Sequence, residues 1–458
     1  MLQTKGQTFP SLVPSCPFRP LGEHWLGRLI PLFLPSVPSW EDKWTDHLRF
    51  PLGVRTGLFF RREPWVWLGL VSVVAWVVGA GFDLRNPMSS LRFADFFAGS
   101  GLVSLGVRHA MTTIWANDIC PRKASVYRAN HGAEHFRLGS IAEVRGVDLP
   151  AVEVVWASFP CQDLSLAGRI GGIGASRSGL FWEWLRVLDE MPERPRVLAI
   201  ENVVGLVSAS GGREYRQLHD ALVSRGYRVG PMLLDAKSWL PQSRPRIFVV
   251  AVDRAIETTA LEDHGANWLH PDAVQKAVRG LEDVVYWSLP RPPQNKVRLS
   301  DLIEWDAEVF DVPRRDALLD LLSPAHAAAL EKLPLASRAV FPGYRRTRNG
   351  RQVLELRFDD LAGCLRTAEG GSSRQFVLLW LDGALQARLL TKREIGALMG
   401  APPDYWMPES YNEAYNAMGD AVAVPVVQFL TDHLLLPLAS TNHVRSAAQT
   451  AREFCLIA

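Results

Sequence analysis

Cysteine is scarce in this chain, and its cysteines are never closely paired. The 458 residues contain five cysteines with no C-x-x-C spacing, namely Cys16, Cys120, Cys161, Cys364 and Cys455. Disulfide frameworks and zinc sites need cysteines at short, regular spacings, so this pattern argues against both, and we expect no metal. It favours a reducing, intracellular compartment.

A strong excess of one charge is also missing. Fifty lysines and arginines face 48 aspartates and glutamates, which leaves a formal net charge of +2. A nucleic-acid partner would therefore be held by a local basic surface rather than by the field of the whole protein. Internal repeats and low-complexity tracts are absent from the sequence. The length of 458 residues predicts two or three domains, and the 48% hydrophobic content is ordinary for a globular protein with a buried core.

Long apolar runs are rare, and one stands near the N-terminus. Residues 64–82, "PWVWLGLVSVVAWVVGAGF", carry no charge and are nearly long enough to span a bilayer, so a membrane anchor is one interpretation. We favour the alternative that residues 1–87 are an upstream extension, translated or not, before a domain that begins at Met88. On that view the protein is cytoplasmic.

Short apolar runs alternate with amphipathic stretches from Leu91 to residue 252. This alternation predicts an α/β fold with an open, mostly parallel sheet and helices on both faces. Predicted strands cover 91–97, 112–118, 152–158, 195–203, 227–236 and 246–252, and predicted helices cover 102–110, 178–191 and 212–226.

The remaining chain divides into three parts. Residues 253–365 are rich in proline and lose the alternation, which predicts a smaller domain separate from a first domain at 88–252. Residues 366–440 return to helical periodicity and should pack back on the first domain, and 441–458 form a tail.

Candidate ligand-binding residues follow the predicted strands, where ligands bind in sheets of this kind. In "FADFFAGSGLVSLG", Gly99 and Gly101 let the backbone approach a ligand closely. Ser104 stands where a dinucleotide fingerprint has glycine, which weakens a phosphate-binding interpretation. Asp118 suits a carboxylate that accepts two ribose hydroxyls, and it equally suits the cap of the following helix.

Candidate catalytic residues follow other strands. Cys161, in "FPCQDLS", comes after a proline and a buried strand, which suits a nucleophile, although an isolated cysteine also serves as an inert small hydrophobe. Glu201, in "IENV", can exchange a proton beside such a nucleophile, or it is a solvated strand end. In "QSRPR", Gln242 precedes Arg244 and Arg246, whose side chains share one face of an extended segment and could bind a planar, oxygen-bearing ligand.

These motifs occur in a characteristic order. From Leu91 to about Leu435, "FADFFAGSG", "FPCQDLS", "IENV", "QSRPR", "RTAEGGSSRQ" and "RLLTKREIGALMG…AMGDAVAVPVV" resemble the DNA cytosine-5 methyltransferase family. The resemblance implies a doubly wound, Rossmann-like domain that uses S-adenosyl-L-methionine, with a smaller target-recognition domain at 253–365.

The resemblance also implies a role for each matched residue. Cys161 would attack C6 of a flipped cytosine, Glu201 would hydrogen-bond N3 and the amine, Arg246 would hold O2, and Arg244 and Gln242 would support the pocket. The implied cofactor-binding residues are Phe97, Gly99, Gly101, Asp118, Ile119, Ser140 and Asp420. Ser140 and Asp420 stand where the family commonly has Asp and Asn.

The implied DNA contacts lie in three places. Ser165 and Arg177 match positions that contact DNA beside the catalytic loop. The resemblance predicts that the glycine-rich stretch 168–179 is a mobile loop that closes over the base, and the alternative interpretation is a flexible surface loop. In the smaller domain the basic cluster Arg345, Arg346, Arg348 and Arg351 is the candidate for phosphate contact, or a solvated loop. Arg366, with Gly370, Gly371 and Ser372, frames that domain.

The resemblance implies that the protein is the modification enzyme of a restriction-modification system. Its partners would be double-stranded DNA and a cognate restriction endonuclease for the same site, and we expect a monomer. Two alternatives remain at this point: a tRNA cytosine-5 methyltransferase that shares the Pro-Cys-Gln loop, and a non-catalytic DNA-binding protein of the same fold.

Overall fold

The computed structural model describes residues 91–160, 179–332, 338–367, 374–381 and 384–441. Several predicted features therefore lie outside the described residues: the apolar run 64–82, Cys161, Ser165, Arg177, nearly all of the glycine-rich stretch 168–179, and Gly370, Gly371 and Ser372.

The first domain contains seven strands and the helices between them. Its strands are β1 (Leu91–Phe96), β2 (Met111–Asp118), β3 (Phe136–Leu138), β4 (Val154–Ala157), β5 (Val197–Asn202), β6 (Tyr227–Asp235) and β7 (Pro245–Asp253). Its helices are α1 (Leu102–Val107), α2 (Pro121–His131), α3 (Leu180–Glu190), α4 (Gly205–Ser208) and α5 (Arg213–Val223).

These strands form one sheet in the order β3-β2-β1-β4-β5-β7-β6. All recorded pairings from β3 to β5 are parallel, whereas β7 runs antiparallel to both of its neighbours, β5 and β6. The predicted open, mostly parallel sheet is therefore confirmed. Because β7 is reversed, its first residues lie at the sheet edge where the parallel strands end.

Alternating side chains of the strands supply a core on each face of the sheet. Phe93 and Trp156 belong to one buried cluster, while Ala94 and Val155 belong to the other. Strands covered on both faces need no polar side, which explains why β4 reads as the uninterrupted apolar run "VVWA".

The segment after β7 does not leave the first domain at residue 253 as the pattern suggested. It carries α6 (Asp272–Val278) and α7 (Leu299–Leu302), and its residues Leu269, Val285 and Trp287 join the core of the large sheet. Gly230 of β6 allows this, since a Cβ there would stand 2.2 Å from the Trp287 indole nitrogen. Isolated apolar residues in an irregular segment have no periodicity, so this packing could not be predicted from the sequence pattern.

The smaller domain instead centres on a four-stranded antiparallel sheet. The order is β11-β10-β8-β9, with β8 (Arg338–Arg348), β9 (Arg351–Leu356), β10 (Gln375–Leu381) and β11 (Ala384–Leu389), preceded by α8 (Val312–Leu319) and α9 (Pro324–Lys332). The predicted boundary at residue 365 thus runs through this sheet rather than beside it.

Buried charges join the two ends of the smaller domain. Arg388 and Glu394 form an ion pair whose side chains are only 3% and 1% exposed. Arg388 also donates to the Glu304 carbonyl at 2.8 Å, and the Glu304 amide donates to Glu394 at 2.7 Å. Farther into the domain, the Phe310 amide donates to the Ala387 carbonyl at 2.8 Å. The chain therefore enters and leaves the domain at the same place.

The C-terminal helices pack against the core of the large sheet. They are α10 (Lys392–Leu398), α11 (Tyr411–Gly419), α12 (Val424–Leu430) and α13 (Leu436–Ser440). Within the described ranges, the stretch Tyr411–Ser440 is apolar and long enough to cross a membrane by composition alone, yet 61% of its most apolar window is buried. Its leucines and valines belong to the core of the large sheet.

Candidate active site

Three loops converge where β1, β4 and β5 end, at the point where the strand order reverses. The Ser158 amide donates to the Phe96 carbonyl at 3.3 Å, and the Asn202 side chain donates to the Phe159 carbonyl at 3.0 Å. The Phe97 and Phe159 rings pack edge to face with centroids 6.2 Å apart. Ligands bind at such switch points in open α/β sheets, so these contacts mark the candidate site.

The loop after β1 is built on positive backbone angles. Phe97, Gly99 and Gly101 have φ values of 59°, 56° and 86°. A side chain at Gly101 would be blocked, because a Cβ there would stand 2.6 Å from the His131 ring. Positive φ at the non-glycine Phe97 is costly and is typical of functional turns.

Asp118 ties this loop to the end of β2. Its Oδ2 accepts from the Gly99 amide at 2.9 Å, and its Oδ1 accepts from the Cys120 amide at 2.8 Å. The N-cap residue of α2 is Cys120, not Asp118, so the helix-cap interpretation of Asp118 is replaced by a contact across the loop. Each carboxylate oxygen has a second lone pair, so both oxygens of Asp118 can still accept a hydrogen bond from a hydroxyl.

Ile119 stands next to this carboxylate with 67% of its surface exposed. An uncovered isoleucine beside a glycine loop and an acceptor carboxylate fits an aromatic base stacked against it. Ser140 lies in the neighbouring loop, which Asn117 holds by donating to the Gly139 carbonyl at 3.0 Å. The Ser140 hydroxyl accepts from the Ala142 amide at 3.2 Å and so begins a short helical turn.

Asp420 lies directly after α11, where it is the C-cap residue of that helix. It accepts from Lys123 at 2.7 Å and from the Thr367 hydroxyl. Burial lowers the pKa of Lys123, but Asp420 outweighs burial and leaves that pKa above its usual value. Asp420 therefore neutralises the charge of Lys123, which an asparagine at this position would not do.

Glu201 and Arg246 meet at the ends of β5 and β7. Arg246 Nε donates to Glu201 Oε1 at 2.9 Å, and the two side chains are 14% and 10% exposed. Burial lowers the pKa of Arg246, but the Glu201 carboxylate and the Cys364 sulfur outweigh it and raise that pKa above its usual value. The reversed direction of β7 brings this arginine to the carboxyl end of a parallel strand.

Gln242 and Arg244 hold surrounding backbone rather than facing an open pocket. Gln242 is fully buried, donates to the Leu398 carbonyl at 2.6 Å and accepts from the Leu365 amide at 3.1 Å. Arg244 donates to the carbonyls of Leu365, Gly419 and Ala421 at 2.8, 2.9 and 2.6 Å. Both residues join the strand β7 to the C-terminal segments.

Cys364 is a neighbour of this pair that no sequence motif indicated. Its Sγ lies 3.2 Å from Arg244 Nη1 and 3.6 Å from Arg246 Nη2. The contact spans about 120 residues of chain, and the only local sign is that Cys364 comes directly before the "RTAEGG" motif.

The predicted DNA-contacting arginines lie on the β8–β9 hairpin. Arg346 and Arg348 both pair with Glu355, at 3.1 and 2.6 Å, and Arg345 lies over the Phe376 ring with 5.2 Å from its guanidinium carbon to the centroid. Arg351 begins β9 and is exposed. The hairpin therefore carries four arginines, and two of them share an ion pair with the same glutamate, Glu355.

Comparisons with known proteins agree with the motifs. The sequence model of the C-5 cytosine-specific DNA methylase family matches residues 91–311 and 347–435. The type II methyltransferase M.BsuFI of Bacillus subtilis is 27% identical over 350 residues, which cover 76% of this chain and 73% of that protein. The type II methyltransferase M.NgoBI of Neisseria gonorrhoeae is 28% identical over 336 residues, 73% of this chain and 90% of that one.

A solved structure supports the fold. The Entamoeba histolytica methyltransferase EhMeth superposes with a TM-score of 0.52 at 13% sequence identity, over 77% of this chain and 99% of that chain. The predicted Rossmann-like methyltransferase domain with a smaller second domain is confirmed. Since the family model covers more than half of the sequence, the chain belongs to the C-5 cytosine-specific DNA methylase family, a class of methyl-transferring enzymes.

Proposed function

We propose that this protein methylates C5 of a flipped cytosine in a specific duplex DNA sequence through a covalent bond to Cys161. The observation that carries the proposal is the buried Glu201–Arg246 pair at the end of β5, beside the end of β4. The chain continues from β4 through Phe159 and Pro160 directly into Cys161, which lies outside the described residues.

The proposed chemistry follows from the electron-poor C6 of cytosine. The Cys161 thiolate adds to C6, and the new S–C6 bond makes C5 a nucleophile. After C5 has gained a methyl group, a base removes the C5 proton and the S–C6 bond breaks to release the thiolate. Glu201 holds N3 and the exocyclic amine of the ring, and Arg246 holds O2.

The described residues fit S-adenosyl-L-methionine. The turn at Phe97–Gly101 brings backbone close to a ligand, Asp118 offers two acceptor oxygens, and Ile119 offers an uncovered apolar surface. This cofactor supplies an activated methyl group. Ser140 and Asp420 complete the same rim of the site.

The biological setting rests on the relatives that carry type II methyltransferase names. We propose a cytoplasmic modification enzyme that protects the site of a cognate endonuclease, acts as a monomer and reads its sequence with the smaller domain. Arg345, Arg346, Arg348 and Arg351 would contact phosphates there, with Arg366 at the domain's edge. Ser165 and Arg177 would contact DNA beside Cys161.

The test is covalent capture by the full-length chain. A duplex with 5-fluorocytosine and the cofactor should give a stable protein–DNA adduct, and bisulfite conversion of methylated mixed-sequence DNA should show protection in one short context. Glu201→Gln should lower the methylation rate by about 10²- to 10⁴-fold. The matched control Glu183→Gln removes a carboxylate paired with Arg186 on α3 and should keep the wild-type rate.

Two results would contradict the proposal. A folded chain that binds cofactor but transfers no methyl group to any cytosine-containing duplex is not a DNA methyltransferase of this kind. If tRNA is methylated and DNA fails to compete for the enzyme, the substrate is RNA.

A further inference from the structure

The Cys364 sulfur lies between the buried guanidinium groups of Arg244 and Arg246. The chemistry proposed above gives this sulfur no role. The sulfur accepts from Arg244 Nη1 at 3.2 Å and from Arg246 Nη2 at 3.6 Å. Arg244 is 3% exposed and Arg246 lies mostly buried, so neither guanidinium exchanges this contact freely with water.

Direct carboxylate contacts are unevenly shared around this position. Glu201 offsets the charge of Arg246, whereas the oxygen partners of the Arg244 guanidinium in the described chain are neutral carbonyls. The carboxylates of Glu201 and Asp420 act on Arg244 through their charge, with no hydrogen bond to its guanidinium in the described chain. An unpaired buried charge is costly, and an electron-rich sulfur between the two cations reduces that cost.

The thiol responds to these neighbours. Burial raises the pKa of Cys364, but Arg244 and Arg246 outweigh burial and, with Arg366, leave it below its usual value. Among the described residues, Tyr344 and Tyr415 also interact with it electrostatically, and Glu201 pairs with its neighbour Arg246. A sulfur in this field is a better hydrogen-bond acceptor than an ordinary buried thiol.

The geometry fixes the Arg246 guanidinium at three points. Its Nε donates to Glu201 at 2.9 Å, its Nη1 to the Pro245 carbonyl at 2.9 Å, and its Nη2 to the Cys364 sulfur at 3.6 Å. The Pro245 contact is local to the strand, whereas Glu201 on β5 and the sulfur are the anchors that come from elsewhere in the fold. Without the sulfur, Nη2 loses its contact, and the guanidinium is held by Glu201 and the local Pro245 carbonyl.

We propose that Cys364 is a positioning residue whose sulfur, held by Arg244, orients the guanidinium of Arg246 and thereby the carboxylate of Glu201. The effect on methyl transfer rests on the proposed function, since it requires these two groups to hold the cytosine ring. The effect on the orientation of the Arg246 guanidinium does not rest on the proposed function.

The experiment compares Cys364→Ala, Cys364→Val and Cys364→Ser in the full-length chain. Alanine and valine remove the acceptor, and valine also fills the space of the sulfur. Serine keeps an acceptor atom. Cys120→Ala, which removes the other cysteine of the described residues, is the control for loss of a thiol.

The first measurement is the guanidinium N–H signals of Arg246 in ¹⁵N NMR spectra, assigned with Arg246→Lys. We expect these signals to shift and exchange faster with water in the alanine and valine variants, to return toward wild type with serine, and to stay unchanged in Cys120→Ala. Unchanged signals in both the alanine and valine variants would overturn the proposal, whether or not the enzyme acts on DNA.

The second measurement is the methylation rate. We expect kcat to fall about tenfold without the acceptor, with KM for the cofactor kept within about twofold and kcat mostly recovered by serine. Equal losses for alanine, valine and serine would overturn the positioning role. A wild-type chain without activity or adduct would instead overturn the proposed function, and the NMR result would still decide the role of the sulfur.

Discussion

Asp95 carries a buried carboxyl group near the end of β1, two residues before the loop Phe97–Gly101. Its Oδ2 accepts from the Ser104 hydroxyl at 2.8 Å, while its Oδ1 has no hydrogen-bond partner in the described structure. Burial, with a smaller contribution from the Asp118 charge, raises its pKa from 3.8 to about 7. The folded chain therefore keeps a proton that the unfolded chain releases.

This pKa difference makes stability depend on pH in a definite direction. Stability is highest below the unfolded pKa, falls as pH rises toward the folded pKa, and is level above it, because the folded state binds more protons in that window. The difference between 3.8 and about 7 corresponds to about 4 kcal/mol in the free energy of unfolding. Between pH 5 and pH 8 the fall is about 2.5 kcal/mol.

Asp95→Asn isolates this effect, because an amide has the shape of the protonated carboxyl group and cannot ionise. Denaturant unfolding of both proteins from pH 5 to pH 8 should show the variant gaining stability over wild type by about 2.5 kcal/mol as pH rises. Asp189→Asn, at an exposed carboxylate of α3, is the control and should show a constant difference. Parallel pH curves for Asp95→Asn and wild type would refute the reasoning.

Three further predictions concern the loop, the clamp and the hairpin. Gly101→Ala should cost about 1–3 kcal/mol more than Gly211→Ala in denaturant unfolding and weaken cofactor binding, since both residues have positive φ but only a Cβ at 101 meets a neighbour within 4 Å; equal costs would contradict the clash. Arg244→Lys should cost about 3 kcal/mol in the same assay, because an ammonium cannot reach three separated carbonyls, and an unchanged denaturation midpoint would argue against the clamp. Arg348→Ala should reduce the slope of log affinity for duplex DNA against log salt by about 1, and Glu355→Gln should tighten binding at low salt; insensitivity of both would remove the hairpin from the DNA interface.

The large sheet was predictable because its strands are covered on both faces. β4 is an uninterrupted apolar run, and β5 begins with the apolar run "VLAI" and ends with Glu201 and Asn202. Both strands and the place of Glu201 could therefore be read from the pattern. β3 was missed, since a strand of three residues with one buried side chain has no detectable alternation.

Contacts between distant segments could not be predicted in this way. The partners of Gln242 and Arg244 lie more than a hundred residues later in the chain, and most are backbone atoms, which every residue type offers alike. The same holds for Cys364, whose surroundings are two arginines from β7. The sequence pattern singled out Gln242 and Arg244, but only the fold shows that these two side chains join distant segments.

The ion pair of Arg388 and Glu394, together with Glu304, joins the two ends of the chain segment that forms the smaller domain. The chain between residues 304 and 388 therefore begins and ends at one buried ion-pair cluster. The cost of lengthening a closed loop grows only slowly with its length. Insertions at the surface of this domain should therefore be tolerated over evolutionary time, or in the laboratory, whereas changes at Cys364 and Leu365 should not, because Arg244 of the catalytic scaffold contacts both residues.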